Sequence, residues 1–577
     1  MLARIGGQDP PMDKPQVAAR AQTRREFLMR ATAGLVASVG LTLLDACAPA
    51  TPVAPTAAPQ APATGAAPAQ SSTPPASTAA QQAPATAQPS AGGTLTVSQS
   101  VDINTLHPWV GTLNVWKVIK ENVYDQLSYQ DPTTFEVKPK LAKSFEWTDG
   151  NTSLLITLPG GTSFHNGDPL TADDVKSTLD GIRDPQVGSW LRGFLAPIKE
   201  VQVVDPTHVK LKTETVDNGL IPALTYVDIV PRGAGTDLAK QNPIGSGPFK
   251  FIEWVPNDRI VLERNPKYWD QARQPKLDKI VFRPVTELQT RISQLLAGNV
   301  DMVYDFSLQE VPRLQADKRV VVSVVPPADQ MFIAYLNMRK PPFDKLEMRQ
   351  AIAWSLDRQA FVTNFLAGLG NPTGNSPFTD KHWAYEPKTK DRYAYDLDKV
   401  GQLVEKAGYP KGQGLNFTLL VPSGYPEFKQ ISTLIQASFA SVGYQPPIEE
   451  VEIGQWAARI NQTRDFFIAV DYPPRGTADP ALTYNAGQLF APNAANAGGL
   501  TPETIPGYVD ALHEGATITD QTKRKDAYSR AQLLWVDALP GPIFAHRSTA
   551  HALTPAIKGF TPHPAFQQDF ASASREK

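Results

Sequence analysis

Cysteine is almost absent from this sequence of 577 residues, where Cys47 is the single example. One cysteine cannot form an intrachain disulfide, so the folded region must be stable without that link. Neither sign of charge is in excess, because the formal net charge at pH 7 is -2, which gives no electrostatic reason to expect nucleic acid or an anionic membrane surface as a partner. Hydrophobic cores stop growing at about 250–300 residues, so we expect two or more lobes.

Local catalytic motifs are also missing. The eight histidines are scattered, and neither an HExxH zinc pair nor a Gly-x-Ser-x-Gly elbow occurs. We therefore predict that the chain is not an enzyme, needs no cofactor and has no metal site. A secreted hydrolase remains the alternative from another functional class, because a catalytic triad assembles in space rather than along the sequence.

The first 47 residues are predicted to be an export signal. Arg24 and Arg25 precede an uncharged apolar stretch over 31–44, which is too short for a transmembrane helix of about 20 residues. The paired arginines resemble a twin-arginine signal. Leu44 to Cys47 resembles a bacterial lipobox, although Asp45 departs from its usual pattern, and the resemblance implies that Cys47 is lipidated. The alternative is a basic amphipathic helix in the cytoplasm.

Residues 48–92 are predicted to be a disordered linker. No charged or aromatic residue occurs between Cys47 and Asp102, and the segment consists mainly of Ala, Pro, Thr, Gln, Ser and Gly. Such a composition buries too little apolar surface to offset the entropy lost on ordering. The linker would therefore separate a lipid anchor from a folded region that begins near Gly93.

From Gly93 onward the sequence predicts a mixed α/β fold. The stretch after Gly93 alternates polar and apolar residues, as a half-buried strand does. Apolar stripes at helical spacing follow four residues that we predict to be N-caps: Thr171, Thr286, Asp344 and Asp396. Strand-like runs lie between them at 154–158, 208–212, 259–263 and 417–421.

Several long strings, in order, resemble the family 5 extracellular solute-binding proteins, the peptide- and nickel-binding group of ABC importers. They occupy residues 141–158, 164–175, 243–254, 262–269, 294–302, 336–344 and 348–358. The resemblance covers essentially all of 93–560. It implies a two-lobed, periplasmic-binding-protein-like α/β fold with a ligand cleft between lobes joined by two hinge strands.

The resemblance also implies boundaries for the lobes. Lobe I would hold 93–332, with an extra subdomain at about 117–232, and lobe II would hold 333–545. Residues 546–577 would return to lobe I and form a C-terminal tail. The chain would cross between lobes near Phe332 to Asn337 and again near Ile543 to His546.

The function implied is capture of a small solute by hinge closure and its delivery to ABC permease subunits. A ligand drives closure only if it binds the closed form more tightly, so ligand contacts should come from both lobes. We expect a monomer outside the cytoplasm, lipid-anchored to the outer face of the cytoplasmic membrane. A surface-bound scaffold that holds no small solute is a further alternative.

We predict ligand contacts at one loop of lobe I and at two places in lobe II. The residues are Thr105, His107 and Trp109 after the first strand, then Trp383, Asp471, Tyr472 and Tyr484. Aromatic faces tolerate varied ligands. For Trp109, core packing is an equally good interpretation.

Asp471 decides the ligand class. In the family's peptide binders an aspartate here pairs with the α-ammonium of the peptide, and a buried charge needs such a partner. If Asp471-Tyr472-Pro473 matches the family's Asp-Tyr-Pro, the ligand is a di- or oligopeptide. An ungapped match to Asp479-Pro480 instead places Gly476 at that position, and would favour an oligosaccharide or another non-peptide solute.

Overall fold

The structure is a computed structural model that describes residues 92–576, apart from 112, 235–242, 328–329, 373, 472–478 and 483–497. The predicted signal residues Arg24 and Arg25, the predicted lipidation site Cys47, and the predicted contacts Tyr472 and Tyr484 lie outside the described residues. Within the described part, no helix is both long enough and apolar enough to cross a membrane.

The strands, in chain order, are β1 (Thr94–Gln99), β2 (Ser128–Gln130), β3 (Val137–Pro139), β4 (Ser144–Thr148), β5 (Ser153–Thr157), β6 (Glu200–Asp205), β7 (His208–Lys212), β8 (Phe249–Val255), β9 (Arg259–Arg264), β10 (Lys279–Pro284), β11 (Met302–Tyr304), β12 (Val321–Val325), β13 (Met331–Leu336), β14 (Gly370–Asn371), β15 (Leu419–Pro422), β16 (Ile448–Val451), β17 (Ile468–Asp471), β18 (Ile543–Arg547), β19 (Thr549–Leu553), β20 (Ile557–Lys558) and β21 (Ser574–Arg575).

The α-helices are α1 (Asn114–Val123), α2 (Ala172–Arg183), α3 (Leu220–Ala223), α4 (Leu288–Leu296), α5 (Val311–Gln315), α6 (Leu346–Trp354), α7 (Arg358–Phe365), α8 (Leu397–Lys406), α9 (Pro426–Ala440), α10 (Ile453–Ala458), α11 (Tyr508–Thr517) and α12 (Gln521–Ala538). The mixed α/β class predicted from sequence is therefore confirmed.

Two of the predicted N-caps are correct. Thr171 forms a reciprocal capping box with Asp174 at the start of α2, and the Asp396 side chain accepts from the Lys399 amide at the start of α8. The other two predictions were wrong by one residue. Glu287 rather than Thr286 caps α4, because its carboxylate reaches the Thr290 amide at 2.8 Å.

The fourth predicted cap, Asp344, is also one residue early. Lys345 occupies the N-cap position of α6, and no side-chain hydrogen bond caps that helix. The Lys345 ammonium instead donates to the Ala407 carbonyl at the end of α8, so the start of α6 is held by a neighbouring helix.

Each lobe is built on its own sheet. The sheet of lobe I has the strand order β12-β19-β11-β1-β10-β9-β8, in which β1 is parallel to both β10 and β11. The sheet of lobe II has the order β14-β18-β13-β17-β15-β16, in which β15 is parallel to both β16 and β17. A four-stranded antiparallel sheet, β4-β5-β7-β6, lies within the interval predicted for the extra subdomain.

The central strand of lobe II is buried on both faces. Phe332, Ala334 and Leu336 enter one apolar core, and Met331, Ile333 and Tyr335 enter another on the opposite side. This alternation follows from the two-residue period of a strand. Helices α6 to α9 contribute to the first core, whereas α11 and α12 contribute to the second.

The chain crosses between the lobes twice. The first crossing lies between the end of β12 at Val325 and the start of β13 at Met331, and the second is Ser548 between β18 and β19. The predicted boundaries at 332/333 and 545/546 fall inside β13 and β18, and they stay predictions. Both strands are wholly buried in the sheet of lobe II, which is why the crossings lie just outside them.

Candidate functional site

The carboxyl ends of the parallel strands in both sheets lie at the boundary between the lobes. In lobe I, Ser98 pairs with Val303 and Val325 pairs with Thr549, next to the crossing at Ser548. In lobe II, Asp471 at the end of β17 pairs with Ile333 near the start of β13. Ligands of open α/β sheets bind outside the carboxyl ends of strands, so this boundary is the candidate site.

Charged and phenolic side chains from both lobes lie near this boundary. The Tyr335 hydroxyl donates to Oδ2 of Asp471 at 2.9 Å. Burial raises the pKa of the Tyr425 phenol to about 12, and the carboxylates of Asp305 and Asp471 raise it further. Asp305 follows β11 in lobe I, whereas Tyr425 and Asp471 belong to lobe II. The boundary therefore carries a carboxylate from each lobe.

Asp305 also binds one of the crossings. Arg547, the last residue of β18, donates from Nη2 to Oδ1 of Asp305 at 2.9 Å, and the two side chains are 5% and 18% exposed. Asp305 has a φ of 49°, a left-handed conformation that is uncommon for aspartate. We call Asp305, Tyr425, Asp471 and Arg547 the crossing cluster.

Four buried polar side chains lie at the same end of the sheets. Among the described residues, no hydrogen-bond partner is found for either polar atom of Gln99 or of Gln330, for the Tyr304 hydroxyl, or for the Thr549 hydroxyl. Buried polar groups are normally paired, so an unpaired group calls for an explanation. These unpaired polar groups lie together where β1, β11 and both crossings meet. Such a group is typical of a site whose remaining hydrogen-bond partners belong to a ligand.

The predicted loop of lobe I is held by its own hydrogen bonds. The Thr105 hydroxyl accepts from the His107 amide at 3.0 Å, and Nδ1 of His107 accepts from the Trp109 amide at 3.2 Å. Thr105 is half-buried, and His107 is 5% exposed. Burial lowers the pKa of His107, and the nearby Lys120 ammonium lowers it further. His107 is therefore neutral at physiological pH.

Trp109 has the surroundings of a core residue. It is 4% exposed, and its indole donates to the Asp228 carbonyl at 3.0 Å. Its ring lies against α2 so closely that a Cβ on Gly181 would come within 2.9 Å of it. These contacts favour core packing, and the ligand contacts predicted for Thr105, His107 and Trp109 stay predictions.

Trp383 belongs to a second cluster in lobe II. The Arg524 guanidinium lies 5.1 Å from the centre of its ring, and Tyr528 meets it edge-on at 6.1 Å. Arg524 also binds both carboxylate oxygens of Asp479, at 2.6 and 2.7 Å. Sequence reasoning used Asp479 only to align the segment and missed Arg524, because no local pattern connects residues that lie 45 positions apart.

The extra subdomain contacts lobe II close to this second cluster. The Asn218 side chain donates to the carbonyls of Ala516 and Ile518 at 2.8 and 2.7 Å. Burial raises the pKa of the neighbouring Asp217 to about 6, and the Asp479 carboxylate raises it further. The cleft is therefore bounded by the crossings at one end and by the Asn218 contact at the other.

No group of three or more His, Cys, Asp or Glu residues able to hold a metal ion occurs in the described ranges. Of the predicted contacts that are described, the structure brings Asp471 to the cleft and places Trp383 beside Arg524. Sequence reasoning missed Asp305, Arg547 and Tyr425. The turn after β15 could have indicated Tyr425, but Asp305 and Arg547 are 242 residues apart and carry no joint signal.

Comparison with known proteins gives consistent results. The model of bacterial extracellular solute-binding proteins, family 5 Middle, matches residues 136–490. Heme-binding protein A of Haemophilus influenzae is 24% identical over 473 residues, which cover 77% of this chain and 85% of that protein. Glutathione-binding protein GsiB of Salmonella choleraesuis is 27% identical over 378 residues, which cover 64% of this chain and 72% of GsiB.

A solved structure confirms the fold. The periplasmic binding protein DppA of Helicobacter pylori, in complex with the peptide STSA, superposes with a TM-score of 0.76 at 24% identity. The match covers 84% of this chain and 99% of DppA. The predicted two-lobed fold is therefore confirmed, and so is the prediction that the chain is not an enzyme, because its relatives are solute-binding proteins. The chain belongs to the bacterial extracellular solute-binding proteins of family 5, which bind small ligands and deliver them to ABC permeases.

Proposed function

We propose that this chain binds a di- or oligopeptide between its lobes and that Asp471 accepts the α-ammonium of the peptide. The observation that carries the proposal is the position of Asp471, which ends β17 at the boundary between the lobes and accepts from the Tyr335 hydroxyl at 2.9 Å. At the same boundary, Asp305 of lobe I binds Arg547 of lobe II at 2.9 Å. A cation bound beside Asp471 would contact both lobes and would thereby stabilise the closed form.

Charge and geometry favour an ammonium over a neutral group at this position. Asp471 ends β17, so its carboxylate lies at the edge of the sheet rather than within it, and the residue is half-buried. A partly desolvated carboxylate gains more from a cationic donor than from a neutral one, at about 1.5–3 against about 1 kcal/mol. The peptide carried by DppA and the glutathione named for GsiB both have an amino group.

An oligosaccharide or another non-peptide solute is the second candidate. It is favoured by the match to a heme-binding protein over 77% of this chain. It is also favoured by the alternative sequence alignment, in which Gly476 stands where the family's peptide binders have their aspartate. Asp305 is paired with Arg547, and such a pair can hydrogen-bond a neutral ligand without an ammonium.

The decisive experiment compares Asp471→Asn with Asp465→Asn in peptide binding measured by calorimetry. Asp465 is a matched control, because it is an exposed aspartate just before the same strand and pairs with Lys340 at 2.9 Å. We expect Asp471→Asn to weaken binding about tenfold to a hundredfold, and Asp465→Asn to change it by less than about twofold. The ammonium assignment is wrong if Asp471→Asn also stays within about twofold.

The identity of the ligand has its own test. Native mass spectrometry of the full-length protein, purified from its host, would give the mass of material held in the cleft. A peptide mass supports the first candidate, and a series of masses differing by one hexose supports the second.

We also propose that the protein is exported by its twin-arginine signal and is anchored through lipidated Cys47. The support is the order of the segments: paired arginines, a short apolar stretch, a single cysteine and an uncharged spacer. Replacing Cys47 with serine should release the mature protein from the membrane fraction. Replacing Arg24 and Arg25 with lysine should leave the precursor in the cytoplasm.

A further inference from the structure

The C-terminal end of α11 in lobe II receives hydrogen bonds from both lobes. The last carbonyls of a helix have no partner within it and need donors from elsewhere. The Gly515 carbonyl accepts from Nε of Arg524 in α12 at 2.8 Å. The Ala516 carbonyl accepts from the backbone amide and from Nδ2 of Asn218, at 2.9 and 2.8 Å. Asn218 lies just before α3, where Leu220 enters the core of lobe I, so lobe I caps a helix of lobe II.

A third hydrogen bond extends this contact past the end of the helix. Nδ2 of Asn218 also donates to the Ile518 carbonyl at 2.7 Å, so both protons of the half-buried side-chain amide are used. Carbonyls at a helix C-terminus carry a partial negative charge, which makes amide donors favourable there. If the lobes moved apart, the carbonyls of Ala516 and Ile518 would lose these donors.

Both sides of the contact are held in place within their own lobe. Oδ1 of Asp217 accepts from the Gly219 amide at 2.8 Å, in a turn that fixes the backbone on either side of Asn218. On the other side, a Cβ on Gly515 would come within 2.6 Å of the Tyr528 ring, so α11 packs tightly on α12. The donors and acceptors are therefore pre-organised, which lowers the entropy lost when the lobes meet.

Close packing adjoins these hydrogen bonds. A Cβ on Gly219 would lie 3.1 Å from Cβ of Ala481, which belongs to lobe II. Leu482, the next residue, is 5% exposed and packs into the core of lobe I. Arg524 holds this segment from the lobe II side, because it binds both carboxylate oxygens of Asp479 at 2.6 and 2.7 Å. Arg524 thus positions both parts of lobe II that meet lobe I here.

We propose that Asn218, Gly219, Ala481 and the end of α11 form a latch that holds the cleft shut at the end far from the crossings. Arg524 is the positioning residue of this latch. None of these contacts involves a residue of the crossing cluster, so the latch stabilises the closed form whichever solute is bound and goes beyond the function proposed above. Because the far end must open before a solute leaves, the latch also slows release.

The test measures the distance between the lobes by double electron–electron resonance in the full-length chain. Spin labels are attached at Val204→Cys in lobe I and Lys525→Cys in lobe II, both exposed positions, in a Cys47→Ser background. Bound solute is first removed by dialysis, so the result does not depend on whether the ligand is a peptide. We expect Asn218→Ala to lower the ratio of closed to open molecules about fivefold to fiftyfold, since two hydrogen bonds are lost.

A second variant acts on the latch by a different route. Gly219→Val keeps the donors of Asn218, but its side chain would need the space that Ala481 occupies, so it should open the cleft at least as far. The matched control is Asn299→Ala, which changes an exposed lobe I asparagine after α4 and should leave the ratio within about twofold. Circular dichroism confirms that each variant is folded. A parent-like distance distribution in Asn218→Ala or Gly219→Val would overturn the latch, and so would an equal shift in the control.

Arg524→Lys tests the positioning role. Lysine keeps a positive charge beside Asp479 but cannot bind its two oxygens and the Gly515 carbonyl together. We expect the ratio of closed to open molecules to fall about twofold to tenfold while the protein stays folded. An unchanged ratio would show that Arg524 does not position the latch.

Discussion

Lys120, Glu121, Gln126, Lys140 and Asp228 form a buried group that we call the lobe I polar network. It differs from the buried polar side chains beside the crossing cluster in how completely its polar atoms are paired. In the network, each member is hydrogen-bonded to another, from Lys120 through Asp228, Gln126 and Lys140 to Glu121. Beside the crossing cluster, Gln99, Gln330, Tyr304 and Thr549 include buried polar atoms without partners among the described residues.

This difference separates a scaffold from a binding site. A fully paired polar network in a low-dielectric interior fixes one arrangement, and removing a single member leaves its partner unpaired. A group of unpaired atoms where two lobes meet destabilises the unliganded protein slightly and leaves those atoms available to a ligand. The two regions should therefore respond in opposite ways to the same kinds of substitution.

The largest effect is expected in the network. Lys120→Met should lower the free energy of unfolding by about 3–5 kcal/mol, because Asp228, which is 0% exposed, would remain as a charge without its cation. Urea unfolding followed by circular dichroism measures this. The control is Lys138→Met, which removes an exposed ion pair to Asp131 and should lower the free energy of unfolding far less. If Lys120→Met and Lys138→Met lowered the free energy of unfolding by similar amounts, the network would not be the rigid scaffold that we infer.

A matched pair of buried glutamines tests the comparison most directly. Gln126→Leu removes hydrogen bonds to Asp228 and Lys140 and should lower the free energy of unfolding by about 2–3 kcal/mol. Gln99→Leu removes polar atoms that have no partner among the described residues. The free energy of unfolding should therefore change by less than about 1 kcal/mol. Ligand affinity should respond in the reverse order, with the larger loss in Gln99→Leu. Equal stability losses would mean that Gln99 is also part of the scaffold.

Patterns within a few residues were readable from the sequence. The Thr171 capping box follows from Asp174 three positions later, and the bounds of β7 match the run His208–Lys212. The two-lobed arrangement came from resemblance to a family, not from periodicity. The exact crossing points could not be derived from the sequence, because the apolar strands β13 and β18 give no signal for which sheet they join.

The candidate site was harder to predict from the sequence than the helices and strands, for a physical reason. Asp305 and Arg547 meet only after the chain has crossed from lobe I into lobe II and has folded through that lobe, and Arg524 meets Asp479 through the packing of α12. Trp109 poses a different problem, because its local pattern has two interpretations. An aromatic residue after a strand suits a core and a ligand pocket equally well. Its contact with α2 became visible only in the structure.

The smallest predicted effect concerns the other end of the cleft and depends on pH. Asp217 lies beside the Asn218 contact, and its pKa is raised to about 6 from 3.8 by burial and by the Asp479 carboxylate, with His513 and Arg524 opposing the shift. Because the folded pKa lies above the unfolded value, the folded state binds the proton more tightly. The resulting stability is fully present below about pH 4 and is lost as the pH rises through about 6.

Asp217→Asn should therefore stabilise the protein at pH 7 by about 1–2 kcal/mol once partial exposure is allowed for, and should make little difference at pH 4. Asparagine can keep the side-chain oxygen that accepts from the Gly219 amide at 2.8 Å. Thermal unfolding at pH 4, 5, 6 and 7 measures the difference between variant and parent. A difference that does not grow with pH would show that Asp217 is ionised at its ordinary pKa, and that this end of the cleft, unlike the crossing cluster, is open to solvent.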